Sequence, residues 1–211
     1  MKVIGVSGSP RKNGNTAHLV GAALREMEKY DVETVFIRLC EYAIGDCRGC
    51  EGCRESYHCV IRDDMQKLYP LLDEADALIL GSPTYFYDVT ALMKAFLDRL
   101  YCYEVFDEDD RSVWMSVNEA RGGKLASVFS VCEQERAGDT GYAAKTMGLT
   151  LGSLGYRVVD SVQIINLFKR DEAAKNQKAM DQAKQMGERL AKTMRLRRDI
   201  LNQTSPGGGT P

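Results

Sequence analysis

Short apolar runs alternate along the chain with segments whose apolar residues recur at helical spacing. Five apolar or alternating runs predict buried strands, at 3–6, 32–39, 77–80, 125–131 and within 156–165. Five segments of helical spacing predict helices, at 15–29, 63–74, 90–101, 141–154 and 171–198. Strands alternating with helices imply right-handed crossovers, so we expect an α/β fold with a parallel, doubly wound sheet.

Two stretches interrupt this alternation. Residues 40–62, the cysteine loop, are rich in Gly and Cys and join the second strand to the second helix. Residues 102–122, the insertion, are acidic, contain Trp114 and are too long for an ordinary connection. We predict one domain over 1–198 that carries both. The Gly- and Pro-rich residues that end the chain cannot bury a core, so 199–211 are predicted to be a flexible tail.

Charge narrows the class of partner. Lys and Arg number 28 against 30 Asp and Glu, which gives a formal net charge of −2. A basic field supplies most of the affinity for nucleic acid or anionic membranes, so we expect neither as a partner. The one basic cluster, 195–198, lies where the last predicted helix ends, a position that favours cations.

Two features predict the cellular compartment: the lack of membrane-span and signal-peptide patterns, and the cysteine content. No apolar run approaches the roughly 18–20 residues of a membrane span, and the first residues do not resemble a signal peptide. We therefore expect a cytoplasmic protein. In a reducing compartment the seven Cys residues predict thiols, metal ligands or redox groups rather than disulfides.

The first predicted strand leads into SGSPRKNGNT, residues 7–16, called here the first loop. Small residues let the backbone approach an anion, hydroxyls and N–H groups bind it, and Arg11 or Lys12 adds charge. The loop matches neither a Walker A motif nor GxGxxG. A purely structural turn is the alternative. Charge-assisted hydrogen bonds contribute about 1.5–3 kcal/mol each, against about 4–15 kcal/mol for association. The ligand should therefore also have a large flat portion.

A second loop is suited to that flat portion. SPTYFYD, residues 82–88, called here the aromatic loop, follows the third predicted strand. Ligands of doubly wound sheets lie beyond the carboxyl ends of the strands, so this loop should lie near the first loop. Its proline turn and aromatic rings suit the edge and face of a planar heterocycle. An aromatic surface loop or subunit contact is the alternative.

At these two loops the chain resembles the flavodoxin-like NAD(P)H-dependent FMN reductase family. The matching residues are GSPR at 8–11, GNT at 14–16, SPTY at 82–85 and LMKAFLDR at 92–99, and the resemblance spans about residues 1–195. It implies a flavodoxin-like three-layer sandwich, strand order 2-1-3-4-5, bound FMN and a flavin-dependent oxidoreductase activity.

The resemblance also assigns residues by position. It implies a phosphate site formed by Ser9, Arg11, Asn13, Asn15 and Thr16. It implies an isoalloxazine border formed by Pro83, Thr84, Tyr85 and Phe86. The chain departs from the family after the fourth strand, where a Gly-rich segment is often found and SVCEQE stands here at 130–135. The backbone of Cys132 or Glu133 is the expected substitute.

Four cysteines of the cysteine loop have the spacing C-x2-C-x2-C-x5-C: Cys47, Cys50, Cys53 and Cys59. The interleaved glycines let three thiolates wrap one face of a cuboidal cluster, and four is the ligand count of a [4Fe–4S] cluster. A zinc site is an alternative, although zinc sites usually pair two C-x2-C knuckles at greater separation. The other alternative is that the four cysteines are redox-active or unused thiols.

The remaining titratable residues near these motifs receive structural interpretations. His58 is expected to be a bystander and His18 a helix-surface residue. Cys40 and Cys102 read as small apolar residues, and Asp63 and Asp64 as N-caps of the second helix. With two His residues in the chain, no general acid or base is assigned.

The cysteine run, continued by VIRDDM at 60–65, resembles the iron–sulfur flavoprotein branch of the same family. That resemblance implies electron transfer between a cluster or NAD(P)H, FMN and an acceptor, with a small molecule or a protein such as ferredoxin as donor or acceptor. A cluster-free NAD(P)H:FMN or quinone reductase and a non-enzymatic flavodoxin-type carrier are the alternatives.

The resemblance further implies a homodimer or homotetramer in which the insertion meets another subunit near the flavin. The aromatic residues in and beside the insertion are the expected contacts: Tyr101, Tyr103, Phe106 and Trp114. An exposed acidic loop is the alternative.

Overall fold

The computed structural model describes residues 1–204, and its centre is a parallel β-sheet with helices on both faces. The described strands are β1 (Lys2–Ser7), β2 (Glu33–Arg38), β3 (Ala77–Pro83), β4 (Glu104–Phe106), β5 (Trp114–Ser116), β6 (Lys124–Val131) and β7 (Tyr156–Ile164). The described α-helices are α1 (Asn15–Glu28), α2 (Met65–Glu74), α3 (Ala91–Arg99), α4 (Val117–Ala120), α5 (Ala143–Ser153), α6 (Glu172–Lys175) and α7 (Gln177–Thr204).

The main sheet confirms the expected topology. Its five strands lie in the order β2-β1-β3-β6-β7, and every neighbouring pair is parallel. Counted within this sheet alone, that order is the predicted 2-1-3-4-5. Strands β4 and β5 form a separate antiparallel pair within the insertion. The sheet therefore brings the carboxyl ends of β1 and β3, and the loops that follow them, next to each other.

Two hydrophobic cores hold the three layers together, one on each face of the sheet. Alternation along β1 sends Ile4 and Val6 to the core that contains α2, α3 and α5, called here the first core. Val3 points to the second core, which contains α1 and α7. All three side chains have no exposed surface, which explains why the strands read as continuous apolar runs.

The last predicted helix is two helices in the structure, and the second of them continues beyond the predicted end. One helix was expected over 171–198, but α6 ends at Lys175 and α7 begins at Gln177. Asn176 lies between them, and its Oδ1 accepts the Ala179 N–H at 3.0 Å, a side-chain cap that apolar spacing does not reveal. Helix α7 then continues to Thr204, so 199–204 of the predicted tail are helical, and 205–211 lie outside the described residues. Across residues 1–204, no helix has the length and apolarity to span a membrane.

Helix α7 crosses α1 at very close range. A Cβ atom added at Gly187 would meet the carbonyl oxygen of Ala23, a backbone atom of α1 that cannot rotate away. Burial of both residues places this crossing inside the second core.

We therefore expect Gly187→Ala to destabilise the fold by about 1–3 kcal/mol, because the added methyl forces the two helices apart. Urea unfolding followed by circular dichroism measures this. The matched control is Gly152→Ala in α5, where an added Cβ meets no described atom within 4 Å. That control should be neutral or up to about 1 kcal/mol more stable. Equal stability of the two variants would contradict the close crossing.

Candidate active site

A cleft of about 640 Å³ opens at the carboxyl edge of the sheet. Its wall is formed by the segments that follow β1, β3, β6 and β7. Doubly wound sheets bind ligands at this edge, and small-molecule sites occupy roughly 300–1,000 Å³. The cleft is therefore large enough for a mononucleotide-sized ligand.

The cleft brings together most of the residues assigned by resemblance. Eight of the nine line it: Ser9, Arg11, Asn15, Thr16, Pro83, Thr84, Tyr85 and Phe86. Asn13 is exposed and is not among the lining residues. The first loop and the aromatic loop thus form one site, and the ligand contacts of the individual residues stay predictions.

The amino terminus of α1 forms one wall of the cleft. Gly14 precedes the helix and no side-chain hydrogen bond caps it, while the next residues, Asn15 and Thr16, line the cleft. The Arg11 N–H donates to Ser9 Oγ at 3.1 Å, which folds the first loop tightly. Lys12 pairs with Glu41, so Arg11 is the cation of this loop that lines the cleft. A positive helix end beside a cation favours an anion.

Hydrogen bonds lock the first loop to the aromatic loop. Thr90 Oγ1 donates to the Gly8 carbonyl at 2.6 Å, and the Thr90 N–H donates to Ser82 Oγ at 3.2 Å. The Gly8 N–H donates to the Gly81 carbonyl at 2.8 Å. Because these groups are buried, the two loops keep their relative position without a ligand.

Asn15 uses its side chain inside the protein. Its Nδ2 donates to the carbonyls of Leu167 and Lys169 at 3.3 and 2.8 Å, and its Oδ1 accepts the Ala173 N–H at 3.0 Å. This amide therefore ties the segment after β7 to the start of α1. Phe168 lies on that segment, lines the cleft and is 65% exposed. The one feature of the sequence that could have predicted Phe168 at the cleft is that it is an aromatic residue just after a predicted strand.

The segment after β6 forms the remaining wall. Val131, Cys132, Glu133 and Gln134 all line the cleft. However, the Cys132 N–H donates to Ile164 at 2.8 Å and its carbonyl accepts the Leu167 N–H at 3.1 Å. The backbone N–H and carbonyl of Cys132 are thus already used within the protein, and Glu133 stays the predicted backbone contact.

The aromatic loop contains two bulky residues in the left-handed region of the backbone. Phe86 has φ of 45° and Tyr87 has φ of 66°, and they form a two-residue turn closed by hydrogen bonds between Tyr85 and Asp88 at 2.8 and 3.1 Å. This conformation suits Asn or Gly and is strained for aromatic residues. Phe86 is nonetheless fully exposed at the cleft. The turn thus displays an aromatic ring at a cost in stability.

The cysteine loop has the donor set of a cluster but not a closed site. Cys47 and Cys50 are exposed, and Cys53 and Cys59 are partly buried. Within residues 1–204, no group of three or more His, Cys, Asp or Glu is arranged to hold a metal ion. Burial raises the pKa of Cys53, and the sulfurs of the other three cysteines raise it further, so Cys53 lies within electrostatic reach of each of them. Their chemistry fits an iron–sulfur cluster.

The two predicted caps of α2 behave differently. Asp63 Oδ1 accepts the N–H of Met65, the first residue of α2, at 3.0 Å, although the residue at the N-cap position is Asp64. Asp64 was expected to do the same, but its carboxylate accepts the Ala43 N–H at 2.8 Å and makes no cap hydrogen bond. Burial alone would raise the pKa of Asp63, but hydrogen bonds from Arg99 and from two backbone N–H groups hold it below its usual value.

The insertion and its neighbours supply an aromatic row. The rings of Tyr101 and Phe106 lie 5.9 Å apart, and those of Phe106 and Trp114 lie 6.3 Å apart. Tyr103 is buried and its hydroxyl donates to Asp73 at 2.8 Å, so it is not available as a surface contact. The other three residues remain candidates for a subunit contact.

Neither histidine lines the cleft, and neither do Cys40 and Cys102. His18 is partly exposed, 3.8 Å from Asp171, and His58 is exposed. Cys102 is buried in the first core, and Cys40 is partly exposed.

Known proteins resemble this chain in sequence and in fold. The family described as NADPH-dependent FMN reductase matches residues 1–165. An iron–sulfur flavoprotein of Archaeoglobus fulgidus is 45% identical over 103 residues, which cover 49% of this chain and 47% of that protein. One of Methanocaldococcus jannaschii is 46% identical over 99 residues, which cover 47% of this chain and 51% of that protein. The chain spans about half the length of these curated relatives.

Solved structures support the fold alone. A flavodoxin from the domain Archaea superposes with a TM-score of 0.57 at 18% identity, covering 92% of this chain and 99% of that one. This likeness confirms the expected flavodoxin-like architecture.

We expect Phe86→Asn combined with Tyr87→Gly to stabilise the protein by about 1–2 kcal/mol, because Asn-Gly suits the left-handed turn. Chemical unfolding of the ligand-free protein measures the gain. Tyr85→Asn is the matched control, since Tyr85 lies in the same turn without a positive φ. It should bring no gain. A double variant no more stable than the wild type would show that the turn is not strained.

Proposed function

The chain belongs to the NADPH-dependent FMN reductase family, and on that premise we propose that it is a flavin-dependent oxidoreductase that binds FMN in the cleft. The observation that carries this proposal is the joining of the first loop and the aromatic loop at one cleft. One loop offers a positive helix end and a cation, and the other offers aromatic surface. A ligand with a phosphate at one end and a planar ring at the other matches both.

The phosphate end is assigned to the first loop. Arg11 supplies charge, Ser9 and Thr16 supply hydroxyls, and the amino terminus of α1 supplies N–H groups. Asn15 acts here by holding the segment after β7 in place, since its amide hydrogen bonds are made with that segment.

The ring end is assigned to the aromatic loop. Pro83, Thr84, Tyr85 and Phe86 border the isoalloxazine, and Phe168 closes the cleft from the opposite segment. Bound FMN supplies one- and two-electron transfer, and the protein positions the flavin and tunes its potential. The chain contributes by binding, orienting and partly shielding the ring from water.

We further propose that Cys47, Cys50, Cys53 and Cys59 bind a [4Fe–4S] cluster. Two facts support this: the relatives named iron–sulfur flavoprotein, and the electrostatic effect of the other three cysteines on Cys53. A cluster handles single electrons, so with FMN it would link hydride-type to one-electron chemistry.

Several finer features follow as part of the same proposal. NAD(P)H or a protein such as ferredoxin exchanges electrons with the chain, which acts as a homodimer or homotetramer through the insertion. Within residues 1–204 none of the seven cysteines forms a disulfide, which suits a reducing compartment such as the cytoplasm.

One observation favours a second candidate, a cluster-free NAD(P)H:FMN or quinone reductase. The thiols of the cysteine loop, within the part of the chain that the structure describes, do not form a closed metal site. This candidate keeps the FMN cleft and returns the cysteines to ordinary thiols.

Arg11→Gln is expected to raise the Kd for FMN about tenfold to a hundredfold, because it removes a charge-assisted hydrogen bond of about 1.5–3 kcal/mol. The Kd for riboflavin, which has no phosphate, should not change. Quenching of flavin fluorescence measures both.

The matched control is Lys12→Gln, since the neighbouring Lys12 is paired with Glu41. It should leave both affinities close to those of the wild type. If Arg11→Gln lost riboflavin and FMN affinity equally, the assignment of the phosphate site to the first loop would be wrong.

Cys53→Ser is expected to abolish cluster binding and to leave FMN affinity unchanged, because the cysteine loop contributes no residue to the cleft. Iron and sulfide analysis and the visible spectrum of anaerobically purified protein, before and after dithionite, measure this. Cys40→Ser outside the motif is the control and should retain iron. A wild-type protein with flavin bands, NAD(P)H oxidation and no iron would favour the second candidate.

A further inference from the structure

A fully buried arginine lies against the cysteine loop. Arg99, the last residue of α3, is 1% exposed. Arginine is seldom buried to this degree without partners for its charge and its donors. Its backbone is fixed as well, because its carbonyl accepts the Tyr69 hydroxyl at 2.9 Å. The guanidinium is therefore held in one place by the protein core.

Four of its five N–H donors bind residues at the two ends of the cysteine loop. Nη1 donates to Asp63 Oδ2 at 2.6 Å and to the Gly45 carbonyl at 3.0 Å. Nη2 donates to Asp63 Oδ1 at 3.2 Å and to the Ile61 carbonyl at 3.3 Å. The bidentate pair with Asp63 balances the buried charge, and the two carbonyl contacts join the start of the loop to its end.

The fifth donor is directed at a cysteine of the motif. Arg99 Nε lies 3.3 Å from Cys59 Sγ and donates to it. If Arg99 only joined the two ends of the loop, its contacts with the two carbonyls and with Asp63 would be sufficient. The contact with Cys59 goes beyond that role. Hydrogen bonds to ligand sulfurs and the groups that orient metal ligands tune both the affinity and the potential of a metal site.

We propose that Arg99 is a positioning residue of the cysteine motif, which fixes Cys59 Sγ through an N–H···S hydrogen bond that persists when the sulfur binds metal. The hydrogen bond and the fixed positive charge stabilise the negative charge of a thiolate-bound cluster. They therefore raise metal affinity and shift the reduction potential of the cluster upward. This proposal rests on the proposed function, namely that the four cysteines bind a cluster.

Arg99→Lys is the variant of choice. The lysine keeps a positive charge beside Asp63, but one ammonium group cannot reach the carboxylate, both carbonyls and Cys59 together. Arg111→Lys is the matched control, because Arg111 Nη1 lies 3.6 Å from Glu51 of the same loop and its Nη2 donates to the Tyr101 hydroxyl rather than to a cysteine.

The experiment uses the full chain in two measurements. Reduced apoprotein is titrated anaerobically with Co²⁺ alone, and thiolate-to-cobalt absorption reports affinity and ligand geometry. Reconstituted protein is then titrated with redox dyes to give the midpoint potential of the cluster. In Arg99→Lys we expect Co²⁺ affinity to fall about tenfold, the cluster potential to become more negative, and FMN affinity to stay unchanged. Arg111→Lys should match the wild type in all three.

Each other outcome has a defined meaning. Unchanged Co²⁺ affinity and potential in Arg99→Lys would overturn the inference alone. Weaker Co²⁺ binding with an unchanged potential would mean that Arg99 only joins the ends of the loop, and would also overturn the inference. A wild-type chain that binds neither Co²⁺ nor iron would remove the proposed cluster and the inference together, with the FMN proposal intact. If Arg99→Lys does not fold, the charge-neutral pair Arg99→Gln with Asp63→Asn is judged by the same readouts.

Discussion

The hydrogen bonds of Thr90 connect the parts of this molecule that carry chemistry. Its hydroxyl donates to Gly8 of the first loop and accepts the N–H of Met93, so one side chain both caps α3 and fixes the first loop. Its N–H holds Ser82 of the aromatic loop. Without these bonds, the two loops would follow different strands with no fixed spacing, and the cleft would have to form on binding. With them, its shape is set by the sheet.

Helix α3 connects the cleft to the cysteine loop. It starts at the Thr90 cap and ends at Arg99 against the cysteine loop. Nine residues at about 1.5 Å each give a spacer of about 14 Å. Its buried face, with Met93, Phe96 and Leu97, packs into the first core. The cleft and the cysteine loop are thus attached to opposite ends of one packed helix, and neither site can shift without disturbing that core.

Local patterns predicted the strands, the helices and the parallel sheet, whereas the strand order and the individual cleft residues came from the family resemblance. Strand runs such as 77–80 and stripes such as that on α3 predict the elements, and the parallel order places the loops after β1 and β3 together. Side-chain hydrogen bonds between distant segments were not predictable. Asn15 to Leu167, Asn176 between α6 and α7, and Arg99 to Cys59 each join or cap backbone that no periodicity describes. Phe168 reaches the cleft through the first of these contacts.

The cysteine loop shows how an open loop can still be prepared for a metal. Arg99 fixes its two ends at Gly45 and Ile61, so closing the four thiols around a metal would rearrange only the residues between them. Gly49, Glu51 and Tyr57 in that interval already have positive φ, which bends the chain repeatedly. Anchored ends reduce the entropy lost on closure, and the metal–thiolate bonds supply the remaining free energy. The loop is therefore held where closure costs least, while its geometry is left for the metal to complete.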